Sequence, residues 1–197
     1  MKEVSINKDM KLSEHLASPS EAALSQTNEL DGFRLSPHFT LEELTKTSYH
    51  TLDGNIPSRV AIENLKNLCE NWLEILRERY NARYGDGISP PEIGGVRGGL
   101  RSGGEIPIVI SSGYRSEEVN MKCGGAKGSN HLTGCAVDIR CYGPEHMIRM
   151  AGILLDIADG TKQEFDELIL EQRGTTYWVH FAVRPKNNRR KILFDCR

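Results

Sequence analysis

The stretch "GSNHLTGCAVDIR", residues 128–140, decides how this chain is read. His131 lies between Gly128 and Gly134, and Asp138 follows inside "CAVDIR", whose small and β-branched residues read as a strand. Glycine lets backbone pass close to a site, and Ala136 beside Asp138 leaves space there. Downstream, His180 stands mid-strand among Trp178, Val179, Phe181 and Ala182, where a buried histidine needs a partner. Two imidazoles and one carboxylate make a three-ligand set that leaves a tetrahedral Zn2+ one open position. That open position separates catalytic from structural zinc.

Working outward, "HFTLEELTK" predicts a short helix. Thr40 caps it, Glu43 completes a capping box, and Phe39 and Leu44 have staple spacing. "PSRVAIENLKNLCENWLEILRERYNARY" follows Ser58 as a cap and sets Ile62, Leu65, Leu68, Cys69, Trp72, Ile75 and Leu76 on one face. Trp72 is therefore expected in the core. Residues 85–104 are rich in Gly and Pro and read as a long loop, either an insertion or a flap beside the active site. "IPIVISSGY" is strand-like, and "SEEVNMKCGG" reads as a short helix capped by Ser116 and ended by glycine. A longer helix opens at Pro144 and is expected to close at Gly160, with Met147, Met150, Ala151, Leu154 and Ala158 inward. Finally, "FDELILEQRGTTYWVHFAVR" alternates about a turn and predicts a β-hairpin. Helices segregated around a small antiparallel sheet imply an α+β fold.

The chain has 197 residues and a net charge of −2, so no basic field points to nucleic acid as a partner. No apolar run has the length of a signal peptide or a membrane span, which predicts synthesis in the cytoplasm without a leader. Five cysteines without CxxC spacing read as reduced, mostly buried small hydrophobes. Residues 1–32 are polar and aperiodic and are expected to form a flexible arm, leaving residues 33–197 as one domain. Oligomeric state is not legible.

"SNHLTGCAVD", Ser129 to Asp138, resembles the S-x-H-x-x-G-x-A-x-D motif of the D-alanyl-D-alanine carboxypeptidase family of zinc peptidases at every fixed position. "WVH" (178–180) is similar to that family's W-x-H ending, and "SGYRS" (112–116) to its segment upstream of the first ligand. The order of elements from "FTLEEL" to "VHFAV" is similar as well. The resemblance implies a zinc peptidase acting on peptidoglycan stem peptides or D-Ala-D-Ala-type peptides, in the fold of the Hedgehog signalling domain. It makes His131, Asp138 and His180 the metal ligands, with Ser129 and Arg115 holding substrate. A planar guanidinium can grip a carboxylate or a developing oxyanion, and its other reading is a structural salt bridge.

One departure matters. Several members of the family carry a glutamate three residues before the last histidine, where this chain has Tyr177. With a two-residue turn at Gly174-Thr175, Arg173 pairs with Thr176, Glu171 with Trp178, and Ile169 with His180. Glu171 then shares a sheet face with His180 on one diagonal and Glu167 on the other. Glu171 is the preferred general base and Glu167 the alternative. Carboxypeptidase and endopeptidase chemistry both remain open, a phage or prophage lysin fits a cell-wall enzyme without a leader, and a non-catalytic zinc-containing binding module is the competing class.

Overall fold

The computed structural model describes residues 32–85 and 105–196. The expected arm, apart from Gly32, and the Gly/Pro loop, apart from Gly85, lie outside the described residues. Among the described residues no helix is long and apolar enough to cross a membrane.

Helix α1 spans Leu41–Thr45, and Thr40 accepts the Glu43 N–H as its cap. Phe39 and Leu44 are both buried, as the staple requires. The reciprocal half of the capping box is not what Glu43 does; its carboxylate accepts the backbone N–H of Ile110 and so ties α1 to the first strand. Helix α2 (Arg59–Leu68), capped by Ser58, runs through a π-helical turn at Cys69–Leu73 into α3 (Glu74–Tyr84). The extra residue in that turn shifts the inward face, so Leu73 is fully buried while Ile75 is only partly so. Trp72 is in the core, 4.9 Å from the Phe181 ring.

Strand β1 is shorter than expected, Ile110–Ser112, because Asn81 intercepts the preceding chain by accepting the Ile106 N–H and donating to the Ile106 carbonyl. Helix α4 (Glu117–Lys122) has Ser116 as its cap, and a 3₁₀ turn at Asn130–Thr133 leads into β2 (Ala136–Cys141). Helix α5 (Pro144–Thr161) passes through Gly160 and is ended by Lys162 in the left-handed region. Strands β3 (Glu167–Arg173), β4 (Thr176–Ala182) and β5 (Lys191–Cys196) complete a sheet of order β1-β2-β4-β3-β5. The fold class is the α+β class expected. All neighbours are antiparallel except β5, which adds a parallel edge beside β3.

The alternation of side chains divides this sheet into two faces. Val137, Ile139, Leu168, Leu170, Val179 and Phe181 point into the core, where α5 and the α2–α3 helix pack. Asp138, Arg140, Trp178, His180, Glu167 and Glu171 belong to the other face, in the register Asp138↔His180↔Ile169 and Arg140↔Trp178↔Glu171. The predicted hairpin register is met at every pair, with Gly174 at φ 56° in the turn.

A buried acid fastens the segment between β4 and β5. Asp166, wholly inaccessible, accepts two bonds from the Arg189 guanidinium (2.8 and 2.6 Å) and one from the Asn130 amide (2.9 Å). Burial opposes its ionisation, yet these donors hold its pKa at about 2. The depressed value makes Asp166 a source of stability that is present above the unfolded carboxylate pKa of about 3.9 and lost as pH falls through about 2. Asp166→Ala should cost about 3 kcal/mol, because it removes the charge-assisted bonds that a wholly buried carboxylate accepts from Arg189 and Asn130 and leaves Arg189 its bond to Glu167. In thermal melts that is a fall in Tm of about 10 °C. An unchanged Tm would show that the cluster contributes no stability.

Candidate metal centre

His131, Asp138 and His180 converge on one point, all three buried, their donor atoms within 4.8 Å of one another. Each is delivered by local structure. His131 sits in the 3₁₀ turn that Ser129 caps by accepting its N–H at 3.4 Å, and Gly134 ends the turn at φ 69°. Glycine is required at 134 twice over, since a Cβ there would also lie 2.4 Å from the Ala61 carbonyl oxygen. Gly128 has open space around it and no such constraint, so only one of the two bracketing glycines is tied to the site. Asp138 and His180 face each other on β2 and β4 as direct cross-strand partners.

The donor atoms can be assigned. His131 Nδ1 lies 2.6 Å from the Gly113 carbonyl, which can only accept, so Nδ1 carries the proton and Nε2 presents a lone pair to the cluster. His180 turns Nδ1 inward, 2.9 Å from Asp138 Oδ1, and its Nε2 lies 3.7 Å from Glu167 Oε2 on the far side. His131 Nε2 stands 3.2 Å from His180 Nδ1 and 3.2 Å from Asp138 Oδ1. Ligands at 2.0–2.1 Å from a tetrahedral zinc are separated by about 3.3 Å, so the three atoms already form close to one face of that tetrahedron. Carboxylate and carbonyl partners behind the two rings fix the tautomers in the way zinc ligands require.

Burial and neighbouring charge oppose each other at all three residues. Burial would raise Asp138, but the two imidazoles hold its carboxyl far below the usual range. Burial lowers His131. It also works against charged His180, yet the ring N–H groups donate to the Asp138 and Glu167 carboxylates, which overcomes burial and lifts that ring to about 9.

Arg115, expected to hold substrate, donates instead to Asp138 Oδ2 and to Ser112 Oγ (2.8 Å). Its salt-bridge reading is the one the geometry displays. Ser129 is turned to its capping bond. Glu171 and Glu167 both lie on the His180 face of β3, opposite Trp178 and Ala182. Glu167 meets Lys191 (3.2 Å), Arg189 (3.0 Å) and Asn130 (3.1 Å); the His180 hydrogen bond first, then Lys191 and Arg189, hold its pKa at about 2 against burial. Burial and the neighbouring Asp138 push Glu171 above the ordinary carboxylate value. Sequence reasoning missed Gly113, whose carbonyl sets the His131 tautomer, and Asn130, which bridges Asp166 and Glu167. The "SGY" segment carried the signal for the first; nothing local signals the second.

The sequence profile of the Peptidase M15 family matches residues 94–168. That span is less than half the chain, includes His131 and Asp138, and ends before His180. It supports the M15 zinc peptidases in general. No curated protein matches the chain.

The chain should take up one zinc ion, with a rise in Tm on loading. His131→Ala and Asp138→Ala should each weaken uptake at least ~100-fold, the scale expected when a ligand rather than its support is lost. Titration calorimetry with mass spectrometry of the intact chain reads both quantities. Full stoichiometry in Asp138→Ala would remove Asp138 from the ligand set.

Proposed function

We propose that the protein is a zinc-dependent M15 peptidase that hydrolyses peptide bonds of bacterial cell-wall stem peptides, as a D,D-carboxypeptidase or an endopeptidase, in the manner of a phage or prophage lysin. The observation that carries this reading is the set of three preoriented donors, His131 Nε2, Asp138 Oδ1 and His180 Nδ1, at separations that fit one face of a zinc tetrahedron. The M15 match over residues 94–168 supports the same class. Residues 33–197 form the peptidase unit in this proposal, and residues 1–32 an appended arm.

Zinc, when bound, supplies Lewis-acid polarisation of a substrate carbonyl and of the attacking water. The chain's own residues supply the rest. Glu171 accepts a proton from the water and returns it to the departing amine, for which a carboxyl raised by burial is better matched than one held near 2. The position three before His180 cannot serve, because Tyr177 packs against the core on the opposite face of β4. Among the described residues the β3 glutamates stand on that face, and Glu167 is occupied by its three cationic and amide partners. Arg115 orients the Asp138 carboxylate through its direct bond to Oδ2.

A zinc-containing binding module on the same fold is the second reading, favoured by Tyr177 in place of the usual glutamate. Glu171→Gln separates the two. On the enzyme reading it lowers turnover of muropeptides ~10²–10⁴-fold while zinc stays bound. Mass spectrometry of the products, with a chelated control, names the bond. Chelator-insensitive or absent cleavage across cross-linked and uncross-linked muropeptides would establish the binding module.

A further inference from the structure

A cleft of about 500 Å³ opens beside the metal ligands, between the chain after α1 and strands β1 and β2. Its wall includes Ser112 and Arg115, the two residues that link it to Asp138, together with Lys46, Tyr49, Tyr114 and Arg140. Three cations line it and no carboxylate does, on a chain whose net charge is −2. Glu43 on α1 offsets part of the Lys46 charge. Arg115 is engaged by Asp138 and Ser112. The Arg140 side chain, by contrast, is exposed and forms no ion pair or hydrogen bond with another described residue.

The register places Arg140 with care. It is two residues from Asp138 on the same strand and the same face, about 7 Å along the sheet, and directly opposite Trp178, which itself lies two residues from His180. A peptide whose reacting carbonyl sits at the three ligands therefore brings a group one to two residues away to the Arg140 guanidinium. An unpaired guanidinium over a cation-lined cleft is suited to one ligand chemistry, a carboxylate held through a planar two-point contact.

We infer that Arg140, assisted by Lys46, forms the subsite for a substrate carboxylate one to two residues from the bond that is cut. The inference rests on the peptidase reading and refines it. It transfers carboxylate recognition from Arg115, which the structure commits to Asp138, to a residue outside the motif. In a lysine-type stem peptide two carboxylates have this chemistry: the C-terminal one of D-Ala-D-Ala, and the α-carboxylate of γ-linked D-Glu. The first would orient a carboxypeptidase, the second an endopeptidase cutting near D-Glu.

The test uses four probes: L-Ala-γ-D-Glu-L-Lys-D-Ala-D-Ala, its D-isoglutamine form, its C-terminal amide, and the doubly amidated peptide. Binding is measured by calorimetry on the zinc-loaded full chain carrying Glu171→Gln, and cleavage on the unsubstituted chain. Blocking the recognised carboxylate should weaken binding about fivefold to tenfold. Arg140→Ala should weaken the parent peptide by the same factor and leave the blocked peptide unchanged, as a shared interaction requires. Arg140→Lys should restore part of the loss, and added salt should shrink the difference. Which amide abolishes the Arg140 effect identifies the source. Equal weakening of all four peptides by Arg140→Ala, no effect on any, or no measurable binding of the parent would each overturn the subsite. Carboxylate-selective binding through Arg140 without any cleavage would keep the subsite and overturn the peptidase reading instead.

Discussion

Asp138 is the constraint on which the rest depends. A carboxylate shut inside the sheet costs several kcal/mol unless charge and hydrogen bonds surround it, and three elements converge to supply them. The 3₁₀ turn brings His131, β4 brings His180 as the cross-strand partner, and the segment after β1 brings Arg115. A one-residue slip of β4 against β2 would carry His180 to the opposite face of the sheet. The register of β1, β2 and β4 is thus tied to the satisfaction of one acid as much as to the apolar pattern. A cation in the cluster would complete what the imidazoles now do in part.

The sheet separates stability from chemistry by alternation. Val137, Ile139, Val179 and Phe181 hold the core, and the residues between them, Asp138, Arg140, His180 and Trp178, are free to carry polar function on the other side. The same logic sets Tyr177 on the core side of β4, where it packs, and Glu167 and Glu171 on the polar face of β3.

Local rules made much of this legible. The hairpin register followed from one turn glycine, and the metal triad from residue types whose spacing a motif records. What escaped was long-range. The π-helical turn at Cys69–Leu73 rotates an amphipathic face by an amount no periodicity announces. Strand β5, "KILFDC", is short and has apolar residues exposed on both faces, so alternation gave no signal. Asn130 and Asp166 are distant in sequence and meet only because β3 starts beside the His131 turn. The partner of Arg115, Asp138, was set by the fold.

The two glutamates of β3 show what that unheralded edge strand adds. Glu167 and Glu171 have the same parity, the same strand and comparable exposure, and sequence alone separates them only through turn geometry. The parallel pairing of β5 sets Lys191 beside Glu167 and Asp195 beside Glu171. The proton affinities of the two diverge: the His180 hydrogen bond, with Lys191 and Arg189 behind it, holds Glu167 at about 2, while burial and Asp138, with a smaller contribution from Asp195, raise Glu171. Divergent environments of this kind sort paired acids into different tasks. The strand that lies farthest from β1 in the sheet thus adds to a divergence that His180, burial and Asp138 already set up.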